Sequence, residues 1–335
     1  MPHHVLTLRH PDGLELTLMD QGATWLSCKV PCADGQRREV LLGAPDAAAY
    51  QAQTAYLGAT IGRYANRIGG ARISHAGRSW QLTANPGSRH QLHGGPQGFD
   101  RRRWQLDGHE PTAACLSLVS EDGDQGYPGR LQARVTYRLA DARSIEMEAE
   151  AEVSAPSPVC LTQHSYFNLD ARHGDVRSHR LRVPAAHYLP VDADLIPLGP
   201  LAPVAGSGFD FRQAKTLQQD WLRDEQQQAS GGYDHALLID AAEGAALQHP
   251  VAELQAGDGG LAMQLYSTLP ALQVYAGQYL GGTPSRDGSP YAACAGIALE
   301  PQVLPDSPNH PEWPQPSCWL VPGQTYRQLI RWRFA

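Results

Sequence analysis

A histidine stands inside an apolar, strand-like run, Leu161-Thr-Gln-His164-Ser-Tyr-Phe-Asn-Leu169. An imidazole in that setting is either a hydrogen-bonded core residue or a working acid/base. A second apolar run, Gly296-Ile-Ala-Leu-Glu300-Pro-Gln302, ends in a carboxylate and opens into a proline-rich loop at 303–314. Beside apolar walls such a carboxyl gains proton affinity and can act as a base near neutrality. Asn66 and Arg67 sit among apolar positions in Thr60-Ile-Gly-Arg63-Tyr-Ala-Asn66-Arg67-Ile68, as a strand-end ion pair or a ligand contact. Arg89-His90-Gln-Leu-His93-Gly94-Gly95 sets two histidines three apart, then a glycine pair that lets backbone turn tightly or approach a ligand. With no cysteine or carboxylate partner nearby, those histidines are a weak metal signal. Asp234 follows Gly231-Gly-Tyr at the mouth of a strand, and Gln273 and Tyr275 alternate onto one face of another. No serine elbow, zinc frame or nucleotide loop accompanies these groups, so the chemistry they suggest is proton transfer alone.

Period-two alternation is the dominant pattern available to position them. In Ser144-Ile-Glu-Met-Glu-Ala-Glu-Ala-Glu-Val153, Ile145, Met147, Ala149, Ala151 and Val153 point one way. Glu146, Glu148, Glu150 and Glu152 point the other, a solvated strand face and not an acidic catalytic cluster. Strands are also predicted over 14–19, 24–30, 131–139, 261–269 and 326–334. Turn signals such as Pro11-Asp-Gly13, Ala33-Asp-Gly35 and Tyr127-Pro-Gly129 separate them. Helical pattern is scarce. The best candidate is 211–228, with Leu217, Trp221 and Leu222 as its apolar face, and a short turn is expected near 45–50. No repeat, low-complexity tract or dividing linker interrupts the chain, and residues 1–335 read as one antiparallel all-β domain.

Composition agrees with that reading. All-β units reach beyond ~250 residues, and 335 residues with 42% hydrophobic and 18% charged side chains describe a globular chain with a large core. A net charge of -7 argues against a nucleic-acid partner. Arg101-Arg102-Arg103, the one notable basic run, reads as a solvated strand edge or loop. Six scattered cysteines read as free thiols, and the lack of a C-x-x-C pair makes a structural zinc site improbable. The amino-terminal residues show no secretory signal and nothing approaches the ~18 apolar residues of a membrane span, so a cytoplasmic location is expected.

Taken in order, these runs resemble the aldose 1-epimerase (galactose mutarotase) family over nearly the whole chain. Gly62-Arg-Tyr-Ala-Asn66-Arg67-Ile68 is similar to G-R-x-x-N-R-I, Gln91-Leu-His93-Gly-Gly95 to L-H-G-G, and Gln163-His164-Ser-Tyr-Phe-Asn-Leu169 to N-H-x-Y-F-N-L. Phe209-Asp-Phe-Arg212, Tyr233-Asp234-His235 and Leu299-Glu300-Pro-Gln302 with Pro305-Asp306 resemble the D-F-R, D-H and L-E-x-Q…P-D elements. The resemblance implies a galactose-mutarotase-like β-supersandwich of mostly antiparallel strands with few short helices. It also implies interconversion of the α and β anomers of free aldoses such as galactose and glucose, without cofactor or metal, in a monomer or homodimer. Position by position it makes Glu300 the general base and His164 the general acid, and puts Asn66, Arg67, His93, Asp234 and Gln273 on sugar hydroxyls. The acid and base are expected on opposite sides of the sugar, with Trp313 or Tyr275 available to stack on its apolar face. Gln163, Ser207-Gly208 and Ala236 depart from the family's usual residues and bear on sugar specificity. Three other readings stay open. A hexose-6-phosphate epimerase would need Arg101–Arg103 as a phosphate cradle. A glycosidase would need a second carboxylate. A non-catalytic sugar sensor would have no need of the acid/base pair.

Overall fold

The computed structural model describes residues 3–33, 35–172, 174–240 and 247–335, which leaves Asp34 of the predicted Ala33-Asp34-Gly35 turn outside. The predicted strands form at Glu15–Met19, Thr24–Pro31, Leu131–Asp141, Ser144–Val153, Ala262–Ser267 and Tyr326–Phe334. Ser144–Val153 lies between Leu131–Asp141 and Tyr326–Phe334 in a nine-stranded sheet, antiparallel to both. Its alternation behaves as the pattern requires. Ile145, Met147, Ala149 and Ala151 are buried, while Glu146 and Glu150 face water and pair across the ladder with Arg331 and Arg327 at 2.6 and 2.7 Å.

A six-stranded antiparallel sheet carries the chemistry. Its order is Tyr166–Phe167, Ile297–Gln302, Ala271–Tyr275, Asp234–Leu238, His187–Tyr188 and Ala202–Pro203. Leu237, Leu272, Val274, Ile297 and Leu299 turn one face of this sheet into a shared apolar core. There they join Tyr137, Met147 and Trp332 of the nine-stranded sheet and Leu16 and Trp25 of a four-stranded one. Trp25 meets Trp332 and Tyr137 edge-on at 4.7 and 5.6 Å, a geometry that aromatic quadrupoles favour. Because the side-chain period is two, the intervening residues Asp234, Gln273, Tyr275, Glu300 and Gln302 all emerge on the opposite face. Registers Gln273↔Glu300 and Asp234↔Tyr275 bring them side by side. The result is an all-β sandwich with apolar layers inside and one polar patch on the outer side of the smaller sheet.

Helix is as scarce as the sequence suggests, but it is not where the pattern put it. Ala47–Ala52 matches the turn expected near 45–50 and is capped by Asp46, whose carboxylate accepts from Ala49 N–H. The predicted helix at 211–228 does not form. The segment gives a short strand at Lys215–Thr216, a set of turns, and only then a helix at Glu225–Ala229. Polar side chains hold the turns. Lys215 Nζ donates to Gly208 O and to Asp220 at 2.7 and 2.6 Å, and Gln227 Oε1 accepts from Leu222 N–H at 2.7 Å. Leu217 is buried, whereas Leu222 has φ +57 and points to solvent, so the i, i+4, i+5 apolar spacing never shared one face. All six cysteines are free. Among the described residues no helix is long and apolar enough to cross a membrane.

The Gly94-Gly95 pair serves a backbone-to-backbone contact. Gly94 has φ +83, and a Cβ there would fall 2.0 Å from Gly62 O, the carbonyl that accepts from Phe99 N–H at 3.0 Å. Gly87, with φ +76, has nothing within 4 Å of the same position. Gly94→Ala is therefore expected to destabilise by more than ~2 kcal/mol, and Gly87→Ala only by the ~1–2 kcal/mol of a left-handed alanine. Urea unfolding midpoints compare them, and equal midpoints would show that the close approach is not required.

Candidate active site

Over the polar face of the six-stranded sheet lies a cavity of about 240 Å³ lined by Asn66, Arg67, His93, His164, Asp234 and Glu300, with Tyr56, Tyr166, Leu195, Tyr275 and Tyr279. Six of the seven residues singled out from the sequence line one small space, although the chain separates them by more than two hundred residues. Gln273 is the exception. It lies behind the wall and donates to Asp234 Oδ1 at 2.7 Å. Larger clefts of 920 and 770 Å³ hold neither His164 nor Glu300, so size does not mark the site.

Each group is fixed by the element beneath it. His164 ends the strand Thr162–His164, paired with Ala59–Ile61 so that His164 stands opposite Ala59. Glu300 sits within Ile297–Gln302 instead of closing it, and its carboxyl Oε1 lies 3.6 Å from His164 Nε2. Both side chains are at least 95% buried. His164 and Glu300 therefore stand side by side, unlike the expectation that they lie on opposite sides of the sugar. Asn66 and His93 lock each other. His93 N–H donates to Asn66 O at 3.0 Å, and Asn66 N–H donates to His93 Nδ1 at 3.1 Å. That bond sets the tautomer: the neutral His93 ring carries its proton on Nε2. A relay of amides runs behind the cavity. Asn66 Nδ2 reaches Gln302 Oε1 at 3.5 Å, Gln302 Nε2 reaches Gln273 Oε1 at 3.4 Å, and Gln273 ends on Asp234.

Electrostatics follow from burial. Loss of water pushes Glu300 well above its ordinary 4.5; the nearby Asp234 charge pushes the same way and Arg67 opposes it. Burial brings His164 down to about 4 against a backbone hydrogen bond that raises it, and His93 falls well below 6.5 through burial, the second histidine and Arg67. Asp234 is also raised by burial, against the pull of Arg67 and the Gln273 hydrogen bond. These directions agree: the dry site disfavours every separate charge, and Arg67 is the cation that offsets the carboxylates.

His93, His164 and Glu300 bring one donor atom each within 4.8 Å of one another, a spacing a metal could use. Their hydrogen bonding fits a cation poorly. With His93 Nδ1 occupied by Asn66 N–H, the neutral ring offers Nε2–H as a donor and no lone pair. His90 is not part of this group, since its ring accepts from Gly70 N–H and approaches Asp194 at 3.4 Å.

Several residues were not singled out from the sequence. Tyr56 sets its ring 4.6 Å from His93 and 5.6 Å from His164. Asp306, named only as part of a motif, accepts from Gly69 N–H at 3.1 Å and gives its own N–H to Arg67 O at 2.8 Å, which anchors the Arg67 turn. Gln302 joins the amide relay. Tyr56, Asn66, His93 and Leu195 line the cavity with left-handed φ of +57, +69, +54 and +61. Backbone strain of that kind gathers at functional sites and leaves little trace in residue type. Of the two proposed stacking aromatics, Tyr275 lines the cavity, whereas Trp313 is buried elsewhere against His310 at 4.1 Å. Arg101–Arg103 is a part-exposed run whose guanidiniums are already engaged. Arg101 binds Gln51 O and Gln53 O, Arg102 binds Asp124, and Arg103 binds Asp20 at 2.7 Å. Guanidiniums so engaged make a poor phosphate cradle. Ala236 lies opposite Gln273 on the site face of the sheet, while Gln163 alternates away from His164.

Comparison with known proteins agrees with the geometry. The family described as Aldose 1-epimerase matches residues 4–333. The chain is 49% identical over 333 residues to the aldose 1-epimerase of Escherichia coli (strain K12), covering 99% of this chain and 95% of that one. It is 34% identical over 330 residues to the galactose mutarotase of Homo sapiens, covering 97% and 92%. Among solved structures it resembles a GalM/aldose epimerase homologue from C. elegans with a TM-score of 0.91 at 28% identity, covering 100% and 99% of the two chains. A galactose 1-epimerase from Lactobacillus acidophilus NCFM gives 0.85 at 26% identity, with 99% and 94% covered. This chain thus belongs to the aldose 1-epimerase family, and it is an isomerase of the mutarotase type.

Proposed function

We propose that residues 1–335 form one domain that interconverts the anomers of free aldohexoses such as galactose and glucose, with Glu300 as general base and His164 as general acid. The observation that carries the reading is the buried pair itself, Nε2 and Oε1 3.6 Å apart at the wall of a 240 Å³ cavity. Mutarotation takes a proton from the anomeric hydroxyl and delivers one to the ring oxygen. The C1–O5 bond then opens to an aldehyde, C1–C2 rotates, and closure on the other carbonyl face gives the other anomer. Both oxygens are bonded to C1, so an acid and a base standing side by side suit them better than groups on opposing walls. The form that opens the ring is carboxylate and imidazolium, and the form that closes it is carboxylic acid and imidazole; burial favours the second, so the bound sugar has to draw the proton onto His164. The pair holds one proton throughout and needs none from solvent during the turnover.

The remaining groups position the sugar. Arg67 and His93 Nε2–H are donors that can polarise the ring oxygen and hold the opened chain. Asn66 and Asp234 reach hydroxyls, and Gln273 acts through Asp234, whose carboxylate it orients. The protein works in the cytoplasm as a monomer or homodimer and draws on no cofactor.

The optical rotation of freshly dissolved α-D-galactose and α-D-glucose should decay faster with protein than without. Glu300→Gln and His164→Ala should each lose ~10²–10⁴-fold in rate while folding normally. A folded variant near the wild-type rate would remove the role assigned to that residue. Because burial holds His164 down to about 4, the rate should stay flat through pH 6.5 and fall only as pH drops toward that value. An acid limb centred near 6.5 would mean a solvated histidine. Stability gives a further check. A carboxyl whose folded pKa is raised stabilises fully below its unfolded pKa, ordinarily 4.5, and loses that contribution as pH rises toward the folded value. Glu300→Gln should therefore gain on wild type in unfolding midpoint between about pH 4.5 and neutrality. A gap that stays constant with pH would contradict the raised carboxyl.

A further inference from the structure

We propose that Tyr56 is a positioning residue of this site: its ring holds the His164 and His93 imidazoles in place and seals the sugar cavity from the cleft beside it. The inference rests on His164 as the proton donor.

Three observations meet at this residue. The first is contact. The ring lies 5.6 Å from His164 at 29°, a stacked arrangement, and 4.6 Å from His93 at 63°, edge to face. One aromatic thus packs against both histidines at once, and those two rings lie 5.3 Å apart.

The second is registration. Ala59 stands opposite His164 in the strand pair and gives its N–H to Tyr56 O at 3.0 Å. Gly58 N–H donates to His164 O at 3.0 Å, so the turn that carries Tyr56 is bonded to the backbone of the histidine it covers. Gly58 O in turn accepts from Trp25 N–H at 2.7 Å, and a Cβ at Gly58 would lie 2.1 Å from Trp25 O. The turn is clamped from the core side. Tyr56 itself has φ +57, a conformation that a bulky aromatic seldom adopts and that the clamped turn enforces.

The third is location. Tyr56 lines the 240 Å³ cavity and also a 770 Å³ polar cleft that contains Gln97, Asp100 and Arg101. It stands where the two meet. Burial raises its own phenol to about 12, so it stays neutral and contributes a flat apolar surface, not a charge. The groups facing His164 are Glu300 from Ile297–Gln302, Tyr166 from the next strand, His93, and Tyr56, with Arg67 and Asp234 across the cavity. Of these, Tyr56 and Arg67 also border the 770 Å³ cleft, and Tyr56 is the one whose ring stacks on His164. Its loss lets water from the cleft reach the imidazole.

The test uses Tyr56→Phe, Tyr56→Ala and, to keep apolar bulk without a flat ring, Tyr56→Leu. Mutarotation of galactose is followed across pH by polarimetry, and the His164 ring is followed by NMR titration. Tyr56→Phe should retain the wild-type kcat and pH profile. Tyr56→Ala and Tyr56→Leu should lose kcat by ~10²-fold, the scale of a misplaced catalytic group, with a smaller change in KM. Their acid limb and their His164 titration should both move to higher pH. Wild-type kcat and pH profile in a folded Tyr56→Ala would overturn the inference, as would a Phe variant as impaired as the Ala one. Should the His164 resonance move while the rate profile stays fixed, the packing role of Tyr56 stands and the assignment of His164 as the acid falls.

Discussion

The structure depends on keeping one carboxyl and one imidazole out of water within reach of each other. Burial of an isolated carboxylate is expensive enough that such a group neutralises instead, and the same holds for an imidazolium. Glu300 and His164 resolve this jointly. On the proposed mechanism they share a single proton, with a form without charge on either partner and a form in which opposite charges stand 3.6 Å apart. The pair then forms only if its geometry is held by something stiffer than the pair itself. That requirement explains why the site is built on sheet strands and clamped turns.

Period-two alternation meets the requirement. The strands that place Leu272, Val274, Ile297 and Leu299 in the core place Gln273, Tyr275, Glu300 and Gln302 on the other face. A one-residue slip would bury the carboxylate in the apolar layer and expose the leucines, so core packing and site geometry enforce one register. Polar residues on that face are then ordered by hydrogen bonds that leave little freedom. Asn66 and His93 exchange two bonds, and the amides of Gln302 and Gln273 point in a single direction because the relay ends on the Asp234 carboxylate.

Much of this was legible in the sequence, and what was not has physical reasons. Long alternating runs gave four strands of the nine-stranded sheet and its glutamate face, because alternation is a local property. The segment at 211–228 misled because Leu217, Trp221 and Leu222 satisfy a helical spacing while Lys215, Asp220 and Gln227 tie the backbone into turns. Short motifs pointed to Glu300, His164, Asn66, Arg67, His93 and Asp234, which meet in one cavity. The motifs carried no relative orientation, so His164 and Glu300, which lie side by side, were expected on opposite sides of the sugar. Gln273 was expected on the sugar, whereas it is not among the residues that line the cavity and donates to Asp234. Tyr56 was passed over because its significance lies in a left-handed backbone and in contacts to strands far along the chain, neither of which its residue type reveals.

An enzyme that runs a near-balanced reaction in both directions gains nothing from stabilising one protonation form of its acid/base pair. Dryness alone would favour carboxylic acid and imidazole, the form that accompanies the opened chain. Arg67 draws the proton the other way by favouring the carboxylate, and Asp234 tempers Arg67. Burial and Asp234 still prevail, since Glu300 stays well above 4.5 and His164 near 4 with Arg67 in place. The lone histidine in an apolar strand thus stands beside a buried carboxyl, and on the proposed mechanism its hydrophobic setting makes the pair answer to the sugar and not to bulk pH.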